Sequence, residues 1–349
     1  MRLSSLISIS NMFMNRFEIN RKRTNLFSRP LHIALEPTLK CNSDCVMCNR
    51  NFSRHETKKA ESFLSWETFN KVKPLFKYTR SVLFGGFGEA LLHPEYIAML
   101  REMKKDSRFV FTYTNAILMT EEIGRELVDA GMDRICVSIG GATRETYRKI
   151  RGVDKHDRVM ENLKLIRDYK KKKGVAKPAI FLEVVAMNSV LPELEGLMEL
   201  ARDLGVETVS MPNMVAQGEE LLKESVWLNV DGAKAAFAKA AERAKKYGIN
   251  FNPPNLEVNR RSNCSALFDL MAVNWDGTVM SCARERYVIG DLNTGAPEDI
   301  WNSKGLRGLR KDFFEKGLEH VCPQCSCWDN NPDNFLNPSP NSREYATRL

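Results

Sequence analysis

The feature that most limits how this chain can fold is an alternation of short β-type runs and amphipathic helical patterns between about residue 31 and residue 215. Candidate strands are His32–Glu36, Ser81–Phe84, Arg108–Thr114, Arg134–Ile139, Ala179–Ala186 and Glu207–Met211. Between them, Ser65 can cap a helix that runs through Phe69, Val72 and Phe76, and Thr120 can cap another that ends at Gly131. The clearest helix puts Leu194, Leu197, Met198, Ala201 and Leu204 on one face and stops at Gly205. Residues three and four apart share a helix face, and glycine closes a helix without a Cβ penalty. Strands joined in series by helices run parallel, so the expected fold class is α/β: six strand–helix units forming a full or partial barrel. In such barrels the chemistry gathers at the C-terminal ends of the strands.

A last helical pattern covers Asp231–Tyr247, and Pro253-Pro254 marks a boundary. Beyond it Asn, Asp and Gly rise and five of the nine cysteines appear, which reads as a small loop-rich domain that metal ligation would help hold together. The expected organisation is an N-terminal extension over 1–30, a core over 31–252, a cysteine-rich domain over 253–335 and a polar, loosely ordered tail over 336–349. Regular pattern begins only near Leu31, so the extension is expected to be flexible, with Met12 and Met14 as alternative starts. There is no run of about 18 apolar residues, so no transmembrane helix is expected. The first residues lack a small-residue cleavage site and do not read as a signal peptide.

Eight of the nine cysteines fall in two clusters. Close spacing of this kind reads as metal binding in a reducing compartment, and the expected location is the cytoplasm. Cys41, Cys45 and Cys48 follow the first candidate strand directly. Three thiolates in one tight loop can bind three irons of a [4Fe–4S] cluster and leave the fourth open. Structural zinc takes four ligands in paired groups, and no histidine lies close enough to complete such a set. Cys136, the ninth cysteine, reads as a small buried residue, although strand alternation puts it on the same face as Ser138.

A Cys-x3-Cys-x2-Cys loop after the first strand of such a series resembles the signature of the radical S-adenosylmethionine (SAM) superfamily. The resemblance implies a partial (β/α)6 TIM-like barrel whose cluster binds SAM and generates a 5′-deoxyadenosyl radical that abstracts a hydrogen atom from substrate. Three further segments fit. Gly85-Gly86-Phe87-Gly88-Glu89 follows the second strand and resembles the Gly-Gly-Glu element that holds the SAM amino group; Thr114-Asn115 ends the third strand; Ser138 ends the fourth. Asn188, past the fifth, and the backbone of Met47 complete the implied SAM contacts. The chain departs from the family where Met47 stands in place of an aromatic residue, Gly140 in place of an aspartate and Ala90 in place of a proline.

In the second cluster, Cys264, Cys282, Cys322, Cys325 and Cys327 resemble the cysteines of a SPASM or twitch domain, which binds auxiliary iron–sulfur clusters. Asn274-Trp275-Asp276-Gly277-Thr278 fits a hairpin turn that brings Cys264 and Cys282 together. Two clusters fully bound by cysteine would need eight ligands, so one auxiliary [4Fe–4S] cluster on Cys264, Cys282, Cys322 and Cys325 is expected, with a four-cysteine zinc site as the alternative. Cys327 is then left over: it replaces Cys325, is inert, or donates a hydrogen atom to a substrate radical.

The formal net charge is +8, with basic runs at Arg21–Arg23 and Lys170–Lys173. These read as solvated surface or as a field for an acidic partner such as a ferredoxin or flavodoxin reductant. No aromatic residues interleave with the runs, so nucleic acid is not indicated, and no membrane partner is expected. With only about thirty residues ahead of Leu31, too few for a peptide-recognition domain, the expected substrate is a small molecule or carbohydrate. Peptide modification is the second reading, and a non-catalytic zinc or iron–sulfur binding module is the competing class.

Overall fold

The computed structural model describes residues 3–48, 50, 63–107, 109–216, 218–258, 264–282, 287–322 and 325, with side chains from residue 6 onward. Among them, parallel strands β1 (His32–Leu35), β2 (Ser81–Phe84), β3 (Val110–Thr114), β4 (Arg134–Ser138), β5 (Ala179–Glu183), β6 (Thr208–Ser210) and β7 (Asn250–Asn252) stand side by side in chain order. The last was not expected: its polar, three-residue sequence Asn-Phe-Asn carries no strand period. β8 (Leu270–Val273) pairs in parallel with the other edge of β1, with Leu35 opposite Val273. β9 (Thr278–Met280) and β10 (Val288–Asp291) continue antiparallel, giving the single order β10-β9-β8-β1-β2-β3-β4-β5-β6-β7. The result is a partial TIM-like barrel whose sheet runs on into the cysteine-rich segment. Gly277 makes the β8–β9 turn with φ +91°, a conformation that only glycine adopts freely.

The helices follow in order: α1 (Leu3–Asn20), α2 (Trp66–Val72), α3 (Tyr96–Asp106), α4 (Glu121–Asp129), α5 (Arg144–Arg151), α6 (His156–Lys173), α7 (Leu194–Leu204), α8 (Glu219–Leu222), α9 (Val230–Tyr247), α10 (Ala266–Asp269), α11 (Pro297–Trp301), α12 (Lys304–Lys316) and α13 (Leu318–Val321). The capping residues act as their types dictate. Ser65 Oγ accepts the Thr68 N–H at 3.0 Å, and Gly205 closes α7 in the left-handed conformation. One face of the sheet packs against these helices through Val82, Phe84, Val110, Ile135, Val137, Ile180 and Leu182. The alternate residues, including Leu83, Phe111, Tyr113, Cys136, Phe181 and Glu183, therefore line the inner face.

α1 occupies a stretch with no expected element. It lies across the N-terminal ends of β2, β1 and β8 and is fastened by polar side chains. Ser8 Oγ donates to the Thr79 carbonyl at 2.8 Å, and Asn11 Nδ2 donates to the Tyr78 and Arg29 carbonyls at 3.1 and 2.9 Å. Asn15 Nδ2 reaches the Phe268 carbonyl at 2.6 Å, and Glu18 accepts from the Phe27 and Ser28 N–H groups at 2.7 and 3.1 Å. Arg310 locks the same region from the C-terminal side. Fully buried over the Trp301 ring, it donates to the Leu267 and Thr24 carbonyls at 2.8 and 3.1 Å, and burial pushes its guanidinium down to about 9.

Candidate active site

The loop carrying Cys41, Cys45 and Cys48 leaves the C-terminal end of β1 and is held on two sides. On one side the end of α5 props it: the Asp44 N–H donates to the Arg151 carbonyl at 3.1 Å and the Val46 N–H to the Ile150 carbonyl at 3.0 Å. This approach is close because residue 152 is glycine, at φ +68°; a Cβ there would sit 2.2 Å from the Asp44 carbonyl oxygen. On the other side, a Cβ on Gly88 would sit 2.1 Å from the Thr38 carbonyl oxygen and 2.6 Å from that of Lys40. The Glu89 N–H completes this contact by donating to the Lys40 carbonyl at 2.7 Å. Glycine is therefore required by backbone-to-backbone packing, not by turn geometry alone.

Glu89 ties the Gly-Gly loop to the next strand end. Its fully buried carboxylate accepts from Thr114 Oγ1 at 2.6 Å, the Asn115 N–H at 2.7 Å and the Leu91 N–H at 3.2 Å. Burial raises its carboxyl above the usual range, and the Thr114 and Asn115 hydrogen bonds oppose that rise. Asn115 passes the link on. Its amide donates to Asn42 Oδ1 at 2.7 Å and Ser43 Oγ at 3.1 Å, with Cys41 Sγ at 4.0 Å. Three strand ends and the cysteine loop thus form one hydrogen-bonded unit.

The three thiols sit close enough to influence one another. Burial pushes the Cys45 thiol up to about 11, with Cys48 and Cys41 adding to the rise and the Arg151 charge opposing it; burial also raises Cys41. Among the described residues no three His, Cys, Asp or Glu side chains converge on one point as a single metal ion requires. Three interacting thiols of one loop, with buried Arg151 beside them, suit a polynuclear cluster with net negative charge. The residues present fit such a group.

A cavity of about 190 Å³ opens beside this unit, lined by Ala34, Glu36, Leu83, Gly86, Phe87, Asn274 and Cys282 among others. Glu36 holds the wall by accepting the Phe87 N–H at 2.9 Å. The Gly-Gly loop and a cysteine of the C-terminal segment therefore share one space. Cys264, Cys322 and Cys325 gather in a small apolar cluster with Leu318 and Phe313. Cys327 and the tail lie outside the described residues.

Deeper on the inner face, Cys136 is 4% exposed and registers with Tyr113 on β3 and Phe181 on β5, while Ser138 registers with Glu183. Burial pushes Glu183 up to about 7; burial and then Glu183 push Cys136 up to about 12 and raise Tyr113 well above the ordinary tyrosine range. Arg134 stacks on Phe181 and Phe109, 4.2 and 5.1 Å from the ring centroids.

The structure brings Met47, Gly86, Phe87, Gly88, Glu89 and Asn115 around the cysteine loop and puts Ser138 on the inner face. Asn188 is not brought to the 190 Å³ cavity. Its amide donates to the Lys223 and Ser225 carbonyls at 3.0 and 3.1 Å, and it lines a separate cleft with Pro192 and Lys239. Sequence reasoning missed Arg151, Gly152 and Glu36. The helix-ending glycine after a basic turn was a readable signal for α5, but nothing in it says which loop docks there.

Residues 35–201 match the Radical SAM superfamily and residues 264–326 match the SPASM iron–sulfur cluster-binding domain. The tungsten-containing aldehyde ferredoxin oxidoreductase cofactor-modifying protein of Pyrococcus furiosus is 25% identical over 340 residues, covering 86% of this chain and 92% of that one. The AdoMet-dependent heme synthase of Methanosarcina barkeri is 25% identical over 317 residues, covering 84% and 88%. Among solved structures, Streptococcus suis SuiB bound to SAM superposes with a TM-score of 0.62 at 16% identity, covering 85% of this chain and 72% of that one. The same protein, solved with its precursor peptide SuiA, gives 0.63 at 15%, covering 87% and 71%. At such identity the likeness is one of fold.

Proposed function

Because this chain belongs to the radical SAM superfamily and carries a C-terminal SPASM domain, we propose that Cys41, Cys45 and Cys48 hold its SAM-binding [4Fe–4S] cluster and that substrate enters the cavity between Gly86 and Cys282. When bound and reduced by an external one-electron donor, the cluster and SAM would supply radical chemistry able to remove a hydrogen atom from substrate. The observation that carries the reading is that shared cavity. The loop proposed to hold SAM and a cysteine proposed to hold the auxiliary cluster both line that one space.

The chain's own residues supply position and polarity. Gly86 and Gly88 let backbone groups come close to the ligand; Glu89 and Asn115 fix that loop to the cysteine loop; Glu36 and Phe87 shape the wall. Cys264, Cys282, Cys322 and Cys325 are the proposed auxiliary ligands. Glu183 makes no side-chain hydrogen bond or ion pair among the described residues and sits on the inner face beside Tyr113. It is suited to receive an N–H or O–H of the substrate, or a proton released as the substrate is oxidised. The reading favours a small, functionalised molecule, because the full-length relatives are named for cofactor modification and heme synthesis. Peptide modification is the second reading, and the SuiB–SuiA complex favours it at the level of fold.

The test is anaerobic. The reconstituted protein is reduced, given SAM, and assayed for 5′-deoxyadenosine. Formation that disappears in Cys41→Ala, Cys45→Ala and Cys48→Ala supports the assignment. A full iron complement with no SAM cleavage would place the chain with non-catalytic cluster-binding modules.

A further inference from the structure

α1 is amphipathic in the wrong sense for a helix on a soluble surface. Ser8, Asn11, Asn15 and Glu18, spaced three and four apart, form its inner face and are all buried. Leu6, Phe13 and Phe17, on the opposite side, are 48%, 64% and 49% exposed. Phe27, just beyond, is 68% exposed. The inner contacts account for the docking of the helix, since each supplies a partner to backbone groups at the strand starts. Among the described residues the apolar stripe outside stays exposed, and exposed apolar surface of this kind marks a contact.

Charge says what kind. Residues 1–31 carry six basic side chains and one acid, and that acid, Glu18, is fully buried and bonded. Arg21 and Arg23 stack their guanidinium groups over Phe17 at 5.6 and 5.9 Å, and Arg23 also covers Phe27 at 5.8 Å. A second copy of the same face would bring like charges together. An acidic electron donor would dock at the wrong end, because α1 covers the strand starts while the cysteine loop leaves the far end of β1. Successive turns of α1 touch residues before β2, β1 and β8, so its axis runs across the base of the barrel and its outer face points away from the strand starts.

We propose that α1 rests on an anionic lipid surface, with Leu6, Phe13, Phe17 and Phe27 in the acyl boundary and Arg16, Arg21 and Arg23 against lipid phosphates. The substrate mouth then faces away from the lipid. A lipid surface departs from the expectation of no membrane partner, and the contact is one of surface and not of span, since no described helix is long and apolar enough to cross a membrane.

The test is co-sedimentation of the cluster-loaded full chain with phosphatidylcholine vesicles, with and without about a quarter phosphatidylglycerol. Binding is expected only to the anionic vesicles, and it should fall at about 0.5 M salt, where the Debye length shrinks to a few ångströms. Phe13→Ser with Phe17→Ser should weaken partition about a hundredfold, roughly tenfold per ring withdrawn. Arg21→Gln with Arg23→Gln should weaken it about 25-fold, at about fivefold per charge. Iron content should be unchanged in both variants, since neither pair reaches the core. Three results would each overturn the proposal: no partition of the unmodified chain, undiminished partition of the phenylalanine variant, or a dimer in gel filtration that the phenylalanine changes abolish.

Discussion

Replacing Gly88 with alanine tests whether the cysteine loop is positioned by close backbone packing. The new Cβ would lie 2.1 Å from the Thr38 carbonyl oxygen, 2.6 Å from that of Lys40 and 2.8 Å from the Leu39 carbonyl carbon, whereas real Cβ contacts essentially never fall below 3.0 Å. The Thr38 oxygen and residue 88 must therefore part by at least about 0.9 Å, and both are backbone, so no rotamer change absorbs it. If the Gly-Gly loop retreats, the hydrogen bond from Glu89 to Lys40 at 2.7 Å stretches and Glu89 moves against Thr114. If residues 38–40 retreat, Cys41 moves with them. Overpacking of this kind costs about 1–3 kcal/mol, and misplacing a reacting group by about 1 Å costs on the order of a hundredfold in rate. The expected result is folded protein that keeps its auxiliary iron and forms 5′-deoxyadenosine about a hundredfold more slowly. Iron and sulfide per chain, with timed product analysis under anaerobic reduction, give both quantities. Full iron and a rate within about twofold of the unmodified chain would refute the packing argument.

Gly152→Ala strikes the same loop from the other side, at positive φ and 2.2 Å from the Asp44 carbonyl oxygen, and should likewise lower iron content and SAM cleavage. Gly308→Ala, in the exposed middle of α12 with nothing within 4 Å, should instead raise stability by about 0.4–1 kcal/mol, seen as a higher melting temperature. Arg310→Met leaves the Leu267 and Thr24 carbonyls without their donor and should cost about 3 kcal/mol, read from the denaturant midpoint. Glu183 gives a pH test. Below about pH 4.5 folded and unfolded chains both hold its proton; as pH rises towards about 7 the unfolded chain ionises first, so stability falls across that window. Glu183→Gln should remove the slope and melt higher than the unmodified chain at pH 8 but not at pH 4, and parallel curves would refute the burial.

Much of the barrel was readable because parallel strands buried on one face keep a regular register of large apolar residues. β2 matches its expected bounds, and α7 ends at its glycine as written. The misses have physical causes. β7 is short and polar, and it exists because β6 offers it an edge, which no local pattern encodes. α1 escaped because its periodicity is inverted: it buries Asn and Ser against exposed carbonyls, and a search for an apolar inner stripe passes over it. At the site, the cysteine spacing was local and legible. The grip of Arg151 and Gly152 on that loop joins residues about a hundred positions apart, Glu36 reaches about fifty positions to Phe87 on the Gly-Gly loop, and Asn188 sits at a strand end in sequence yet turns its amide to another loop.

The pairing of β8 with β1 also governs how the chain is made. β1 is complete early in synthesis, yet one of its edges waits for Leu270–Val273. Until then the innermost strand of the barrel, next to the cysteine loop, presents unpaired backbone, a template for association with other chains. The fold therefore has a high sequence separation at its centre and should form late. Fragments that stop before β8 should aggregate instead of yielding an isolated barrel, and metal loading of the cysteine loop before release from the ribosome would have to occur on a half-paired scaffold.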